Sequence, residues 1–139
     1  MELFYQQNWE TIKKRLTLLW DKEILDRTCQ WLDRAIYHLD GMEQIRHIDA
    51  LMSVKKLDMI QWTQVDGQPD LTHNFASLKK IQNAGKGLVL LPHKSQLNVI
   101  VNELSLEGVM LVVTGADNPQ EADEIVDFVA KNSFKKKLY

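Results

Sequence analysis

The stretch Ala35-Ile36-Tyr37-His38-Leu39-Asp40-Gly41-Met42-Glu43 decides the fold. Its first five residues are apolar, aromatic or β-branched apart from one histidine, and read as a buried strand over 35–39. Asp40-Gly41-Met42-Glu43 then has the form of a capping box, with Asp40 as N-cap and Glu43 at N3. A helix carrying Ile45, Ile48, Asp49 and Met52 follows to about residue 53. A strand that runs directly into a capped helix is one βα unit.

The same pattern repeats downstream. Residues 57–62 read as a second strand, and 63–73 as a polar loop holding Asp66, Gly67, Pro69 and Asp70. Thr72 suits the cap of a helix carrying Phe75, Leu78 and Ile81, with Gly85 as its C′ residue. Residues 87–91 form the third strand, broken by Pro92, and a helix over about 95–104 carries Leu97, Ile100, Val101 and Leu104. Residues 109–113 form the fourth strand. Asn118 then precedes Pro119 at N1, Glu121 stands at N3, and Ala122, Ile125, Val126 and Val129 make the expected buried stripe. Upstream, 1–34 reads as helix. Asn8 suits a cap for Trp9, Ile12, Leu16 and Leu19, and a second run follows with Ile24, Leu25, Thr28, Trp31 and Leu32. One bent helix, or two with Asp21 capping the second, fit equally.

Strand starts at 35, 57, 87 and 108 are spaced by 22, 30 and 21 residues. Such spacings suit right-handed βαβ units feeding a parallel sheet. Strands apolar on both faces are expected where helices cover both sides or the sheet closes into a barrel. The first βα turn has no Gly-x-Gly-x-x-Gly phosphate loop, and no Walker A sequence occurs. The expected fold is therefore α/β: half of a (β/α)8 TIM-type barrel, with four parallel strands over 35–132. A helical N-terminal segment over 1–34 belongs to the same single domain, 1–139.

Composition bounds the function. With 45% hydrophobic and 26% charged residues, the chain is neither disordered nor a repeat of fibrous type. A net charge of −2 supplies no positive field for nucleic acid or anionic lipid. Cys29 is the single cysteine, so no internal disulfide forms, and its place on a helix suits a small buried hydrophobe. The opening MELFYQQNWE has neither the basic nor the apolar region of a secretory signal, so a cytoplasmic protein is expected. The longest apolar runs fall far short of the roughly 20 residues of a membrane helix. The basic run 135–137 reads as a solvated end.

In parallel α/β folds, sites gather at the carboxyl ends of the strands. His38 and Asp40 stand there two residues apart, on one side of a strand. A histidine beside a carboxylate suits acid–base work or a divalent metal such as zinc. The plainer reading makes Asp40 a helix cap and His38 an internal hydrogen-bonding group. Gln61 and Trp62 end the second strand as candidate substrate contacts. Trp62 suits either stacking on a planar ligand or packing in the core. His93, after the third strand, is a third candidate contact in the same mouth. His47 and His73 are assigned no role. Cys-x-x-Cys, His-Glu-x-x-His and nucleophile-elbow sequences are absent. Trp9, Trp20 and Trp31, at helical intervals, read as core.

Several short motifs point the same way. Tyr37-His38-Leu39-Asp40-Gly41, Leu57-Asp58-Met59-Ile60-Gln61-Trp62, Ala84-Gly85-Lys86-Gly87 and Gly108-Val109-Met110-Leu111 follow one another in order. With the helix opened by Glu121-Ala122-Asp123-Glu124, they resemble the C-terminal half of the uroporphyrinogen decarboxylase superfamily. That superfamily includes the methylcobamide:coenzyme M methyltransferases. The resemblance spans about residues 20–132. It implies a (β/α)8 barrel with its site in the C-terminal mouth. It further implies either cofactor-free decarboxylation of a tetrapyrrole carboxylate or zinc-assisted methyl transfer from a corrinoid to a thiol. The methyltransferases bind zinc through a His-x-Cys at a strand end and a later Cys. Here His38 matches the first ligand, Asp40 replaces the second, and the end of strand four offers no Cys. Thiolate ligation does not carry over, and a mixed His and carboxylate site is what the pattern leaves.

A whole barrel of this type takes about 250 residues. Four strands alone leave two parallel edges and an uncovered inner face. Ile36, Ile60, Leu90 and Leu111, or their neighbours, are expected on that face. Three arrangements compete: a piece of a longer barrel, a homodimer packed across a two-fold axis, or a helical N-terminus folded over the gap; the homodimer is the one expected, and a monomer with its gap capped the alternative. In the homodimer, Trp9, Leu16, Leu19 and Trp20 are the expected arms. A non-catalytic half-barrel that uses its mouth for binding or assembly is the alternative to an enzyme.

Overall fold

The structure is a computed structural model and describes residues 20–133. These residues form four strands, five α-helices and short 3-10 or π turns. Strand β1 is Ile36–Asp40, β2 Met59–Thr63, β3 Gly87–Leu90 and β4 Val109–Leu111. Helix α1 is Leu25–Gln30, α2 Ile48–Met52, α3 Phe75–Asn83, α4 Leu97–Glu103 and α5 Pro119–Ser133. The strands pair in parallel, in the spatial order β1-β2-β3-β4. The expected βα repeat is present. The upstream helix ends at Gln30, short of 34, and is entered by a π turn over Trp20–Ile24. The run through Trp9, Ile12, Leu16 and Leu19 lies outside the described residues. No helix among the described residues is long and apolar enough to cross a membrane.

Strand order fixes where the helices lie. Each crossover steps to the next strand in the same direction, and right-handed crossovers then place every helix on one side. A doubly wound sheet would instead reverse its order. Ile48 and Leu51 of α2, Leu78 and Ile81 of α3, and Ile100 of α4 join one core with Leu39, Ile60, Trp62, Leu88 and Leu90. Cys29 is buried in the same core, and burial, with Asp26 next in effect, pushes its thiol pKa up. This single-sided winding fits half of a barrel.

Register then sorts the strand residues. Tyr37 and Leu39, Ile60 and Trp62, Leu88 and Leu90, and Val109 and Leu111 share the helix-covered face. Ile36, His38 and Asp40, Met59, Gln61 and Thr63, Gly87 and Val89, and Met110 share the other. That face is open at its margins: Ile36 is 55% and Met110 56% exposed. The expectation of two apolar faces fails for the carboxyl halves of β1 and β2, where His38, Asp40, Gln61 and Thr63 take the open face and burial alternates as in one-sided strands. Of the four expected inner-face residues, Ile36 alone lies there. Ile60, Leu90 and Leu111 face the helices, because one residue of strand phase reverses every side chain.

The caps divide in the same way. Gly85 is C′ of α3, with φ +74, and its N–H donates to Gln82 O (2.9 Å) while Lys86 N–H donates to Ile81 O (3.3 Å). Asn118 Oδ1 accepts from Glu121 N–H (2.9 Å) ahead of Pro119, as expected. The capping box at Asp40 and Glu43 does not form. Asp40 stays in the strand, Gly41 N–H donates to Thr63 O (3.1 Å), and Gly41 occupies the cap position. Asp70, not Thr72, caps the turn before α3 by accepting from Thr72 N–H (2.8 Å). Its pKa is lowered, chiefly by the Thr72 hydroxyl. On α5, Ala122 is exposed and Val126 is 65% exposed. Ile125 and Phe128 instead line a groove of about 400 Å³ against Leu97 of α4.

Candidate functional site at the carboxyl ends of the strands

Strand period and register build the site. His38 and Asp40, two residues apart, project to the open face of β1. Register sets Gln61 opposite His38 and Thr63 opposite Asp40. His38 Nδ1 lies 3.5 Å from Thr63 Oγ1, a long polar contact. Imidazole, carboxylate, amide and hydroxyl thus stand together at the carboxyl ends of two neighbouring strands. His38 and Asp40 are exposed, and Gln61 and Thr63 half-buried. The loop after β2 folds back to hold this end: Gln68 Oε1 accepts from Met42 N–H (2.7 Å). Asp40 N–H is taken by Gln44 Oε1 (3.3 Å).

Trp62 is not brought to this group. It faces the helices and is 3% exposed within the core. His93 lies two strands away, about 10 Å across the sheet. It caps the turn before α4, its Nδ1 accepting from Ser95 N–H (3.3 Å) and lying 2.9 Å from Ser95 Oγ. Gln96 Oε1 completes that capping box by accepting from His93 N–H (2.8 Å). The ring lies against Gly115, whose φ is +91. Of the five candidate residues, His38, Asp40 and Gln61 therefore converge, while Trp62 and His93 stand apart.

Two features lie outside the five candidates, built from Thr63, Lys94 and Asp117, which the sequence places at strand ends without a role, and from Glu121. Thr63 completes the group, and only the β1–β2 register brings it beside His38. The second feature is a charge cluster joining the ends of β3 and β4. Lys94 Nζ donates to Asp117 Oδ2 (2.8 Å) and Glu121 Oε1 (2.7 Å), and Asp117 N–H donates to Glu121 Oε2 (2.7 Å). The Lys94 hydrogen bond holds the Asp117 carboxyl below its usual range. Glu121 is lowered first by the Asp117 N–H and then by Lys94. Lys94 is raised in turn, Asp117 first and Glu121 second. Lysine and acids spaced 23 and 27 residues apart give no local pattern to read.

The group offers donors and acceptors for a polar ligand, and an imidazole for proton transfer. A zinc site takes at least three protein ligands. Among the described residues, no three of His, Cys, Asp and Glu stand close enough to hold a metal ion. His38 and Asp40 supply two, so these residues do not fit a zinc site by themselves.

Compared with known proteins, the chain matches no protein-family model, no curated protein and no solved structure.

Proposed function

We propose that the chain is a cytoplasmic, uroporphyrinogen decarboxylase-like half-barrel that takes a carboxylate-bearing tetrapyrrole-type or corrinoid-linked ligand at the carboxyl ends of its strands. The observation that carries this reading is the convergence of His38, Asp40, Gln61 and Thr63 on the open face. His38, Gln61 and Thr63 supply donors for ligand carboxylates, and Asp40 an acceptor for ligand N–H groups. In the decarboxylation reading, the C–C bond to a carboxyl group breaks, CO2 leaves, and the carbon left behind takes a proton. His38 is the proton-donating side chain on this face. Methyl transfer through zinc is not developed, since the donor set does not fit the metal. The second reading is a non-catalytic binding or assembly subunit, favoured by the exposed apolar Ile36 and Met110 on the same face.

Titration with uroporphyrin, followed by absorbance, tests the ligand. Saturable binding is expected, weakened about tenfold by His38→Ala and less by Gln61→Ala. Absence of saturable binding contradicts the ligand assignment. Release of CO2 from the reduced tetrapyrrole, lost in His38→Ala, supports the decarboxylase. Binding without CO2 release selects the second reading.

A further inference from the structure

Among the described residues, the two margins of the sheet carry backbone of matching kind with no strand partner. In β1, Ala35 O accepts from Asp58 N–H (3.0 Å) and Met59 N–H (3.1 Å), and Gly41 N–H donates to Thr63 O (3.1 Å). Alternate residues of a parallel strand bond to the same side, so Ile36 and His38 turn their N–H and C=O groups outward. In β4, Val112 N–H donates to Leu90 O and Thr114 N–H to Pro92 O, each at 2.9 Å. Leu111 and Val113 therefore turn theirs outward. Among the described residues no strand lies beyond either margin.

Exposed apolar side chains follow the same margins. Ile36 and Met110 stand on the open face, and Leu91 and Val112 extend the phase of β3 and β4 on that face. Ile24, Leu32 and the 89% exposed Trp31 flank the entry to β1. On the far side, α5 runs 15 residues without one that is fully buried. A helix that follows a strand in this winding covers that strand and the next, and beyond β4 the next is missing among the described residues. The β4 margin thus lacks a strand and the helix before it. The β1 margin presents both.

The geometry points to a second copy of this chain as the occupant: two chains related by a two-fold axis along the strands, β4 of each pairing in parallel with β1 of the other. One operation satisfies both margins at once, and it closes, leaving no edge for further growth. Eight strands make the barrel size whose interior side chains fill. Strands of five, five, four and three residues give a face of about 270 Å² in plan. Two such faces, two strand seams and the α5 contacts approach the roughly 1,200 Å² of a specific interface. Closure also sets His38 and Asp40 beside residues 114–117 of the partner subunit, so the site is incomplete in one chain. This proposal stands on the fold alone and is independent of the ligand and chemistry proposed above.

Sedimentation equilibrium of the 139-residue chain at micromolar concentration tests it. A dimer of twice the 16.2 kDa chain mass is expected. Val113→Pro removes one outward N–H from each of two seams, so the dissociation constant rises about thirtyfold. Face-to-face stacking of two sheets leaves that variant unchanged. Amide exchange on the native chain provides a second reading should Val113→Pro fail to fold. Protection at Ile36, His38, Leu111 and Val113 rises with protein concentration if the seams form. A monomer at micromolar concentration, an open-ended series of oligomers, or a dimer without concentration-dependent protection at those four amides overturns the proposal.

Discussion

Gly115→Ala strikes the junction between the ends of β3 and β4 through two separate terms. Gly115 has φ +91, where an L side chain costs about 1–2 kcal/mol. A Cβ there lies 2.5 Å from Cδ2 of His93 and closer still to Nε2. The ring must swing aside and give up the Ser95 N–H it accepts, a cap worth about 1 kcal/mol. The sum is a loss of about 2–3 kcal/mol. Urea unfolding followed by circular dichroism measures it, in a cycle with His93→Ala. His93→Ala alone costs the cap, about 1 kcal/mol. In that background Gly115→Ala costs the backbone term only, about 1–2 kcal/mol, so the two changes fall short of additivity by about 1 kcal/mol. Strict additivity, or a Gly115→Ala protein within about 0.5 kcal/mol of the parent, refutes the placement of the His93 ring over Gly115.

Other expectations rest on the polar network. Lys86 is buried and its ammonium donates to Val54 O (2.8 Å) and Leu57 O (2.7 Å). Lys86→Met strands both carbonyls and should cost about 2–3 kcal/mol in urea unfolding; an unchanged midpoint contradicts that role. Asp117 and Glu121 have folded-state pKa values below their ordinary ones. Their contribution is present above the unfolded carboxylate range and fades as pH falls through the folded values. Lys94, raised, keeps its share below the ordinary lysine range and loses it as pH rises through its folded value. The cost of Asp117→Asn should therefore be greater near about pH 7 than near about pH 2. An equal cost at both removes the cluster as a source of stability.

The four strands were legible because each is a short apolar run closed by Gly, Pro or a polar turn. Their limits shifted where tertiary bonds intervene. Leu57 reads as strand but lies before β2, since the Asp58 carboxylate accepts from Ala35 N–H (2.8 Å) and Arg34 Nη1 (2.9 Å) and sets where pairing begins. Those bonds also lower the Asp58 pKa, Ala35 first. The pair His38 and Asp40 was legible from strand period alone. Gln61 and Trp62 were both legible as candidates at the end of β2, but not which of them joins the pair: Gln61 does and Trp62 does not, by one step of register. Asp40 and Glu43 match a capping box in sequence, but pairing with β2 carries the chain past Asp40 as strand. The apolar residues of α5 suit a stripe, yet Ala122 and Val126 stay exposed because nothing among the described residues covers that side of β4.

Imidazole resonances offer the most direct test of the claim that the open face is the working face. The chain has four histidines. His38 stands on the open face, whereas His47 and His73 belong to the turns before α2 and α3, on the helix-covered side. Nuclear magnetic resonance of the labelled imidazoles during titration with uroporphyrin separates the two sides. A saturable shift is expected at His38, its midpoint moved to higher ligand concentration by Gln61→Ala or Thr63→Ala, with His47 and His73 unmoved. Shifts confined to His47 or His73, or none at saturating ligand, would contradict it.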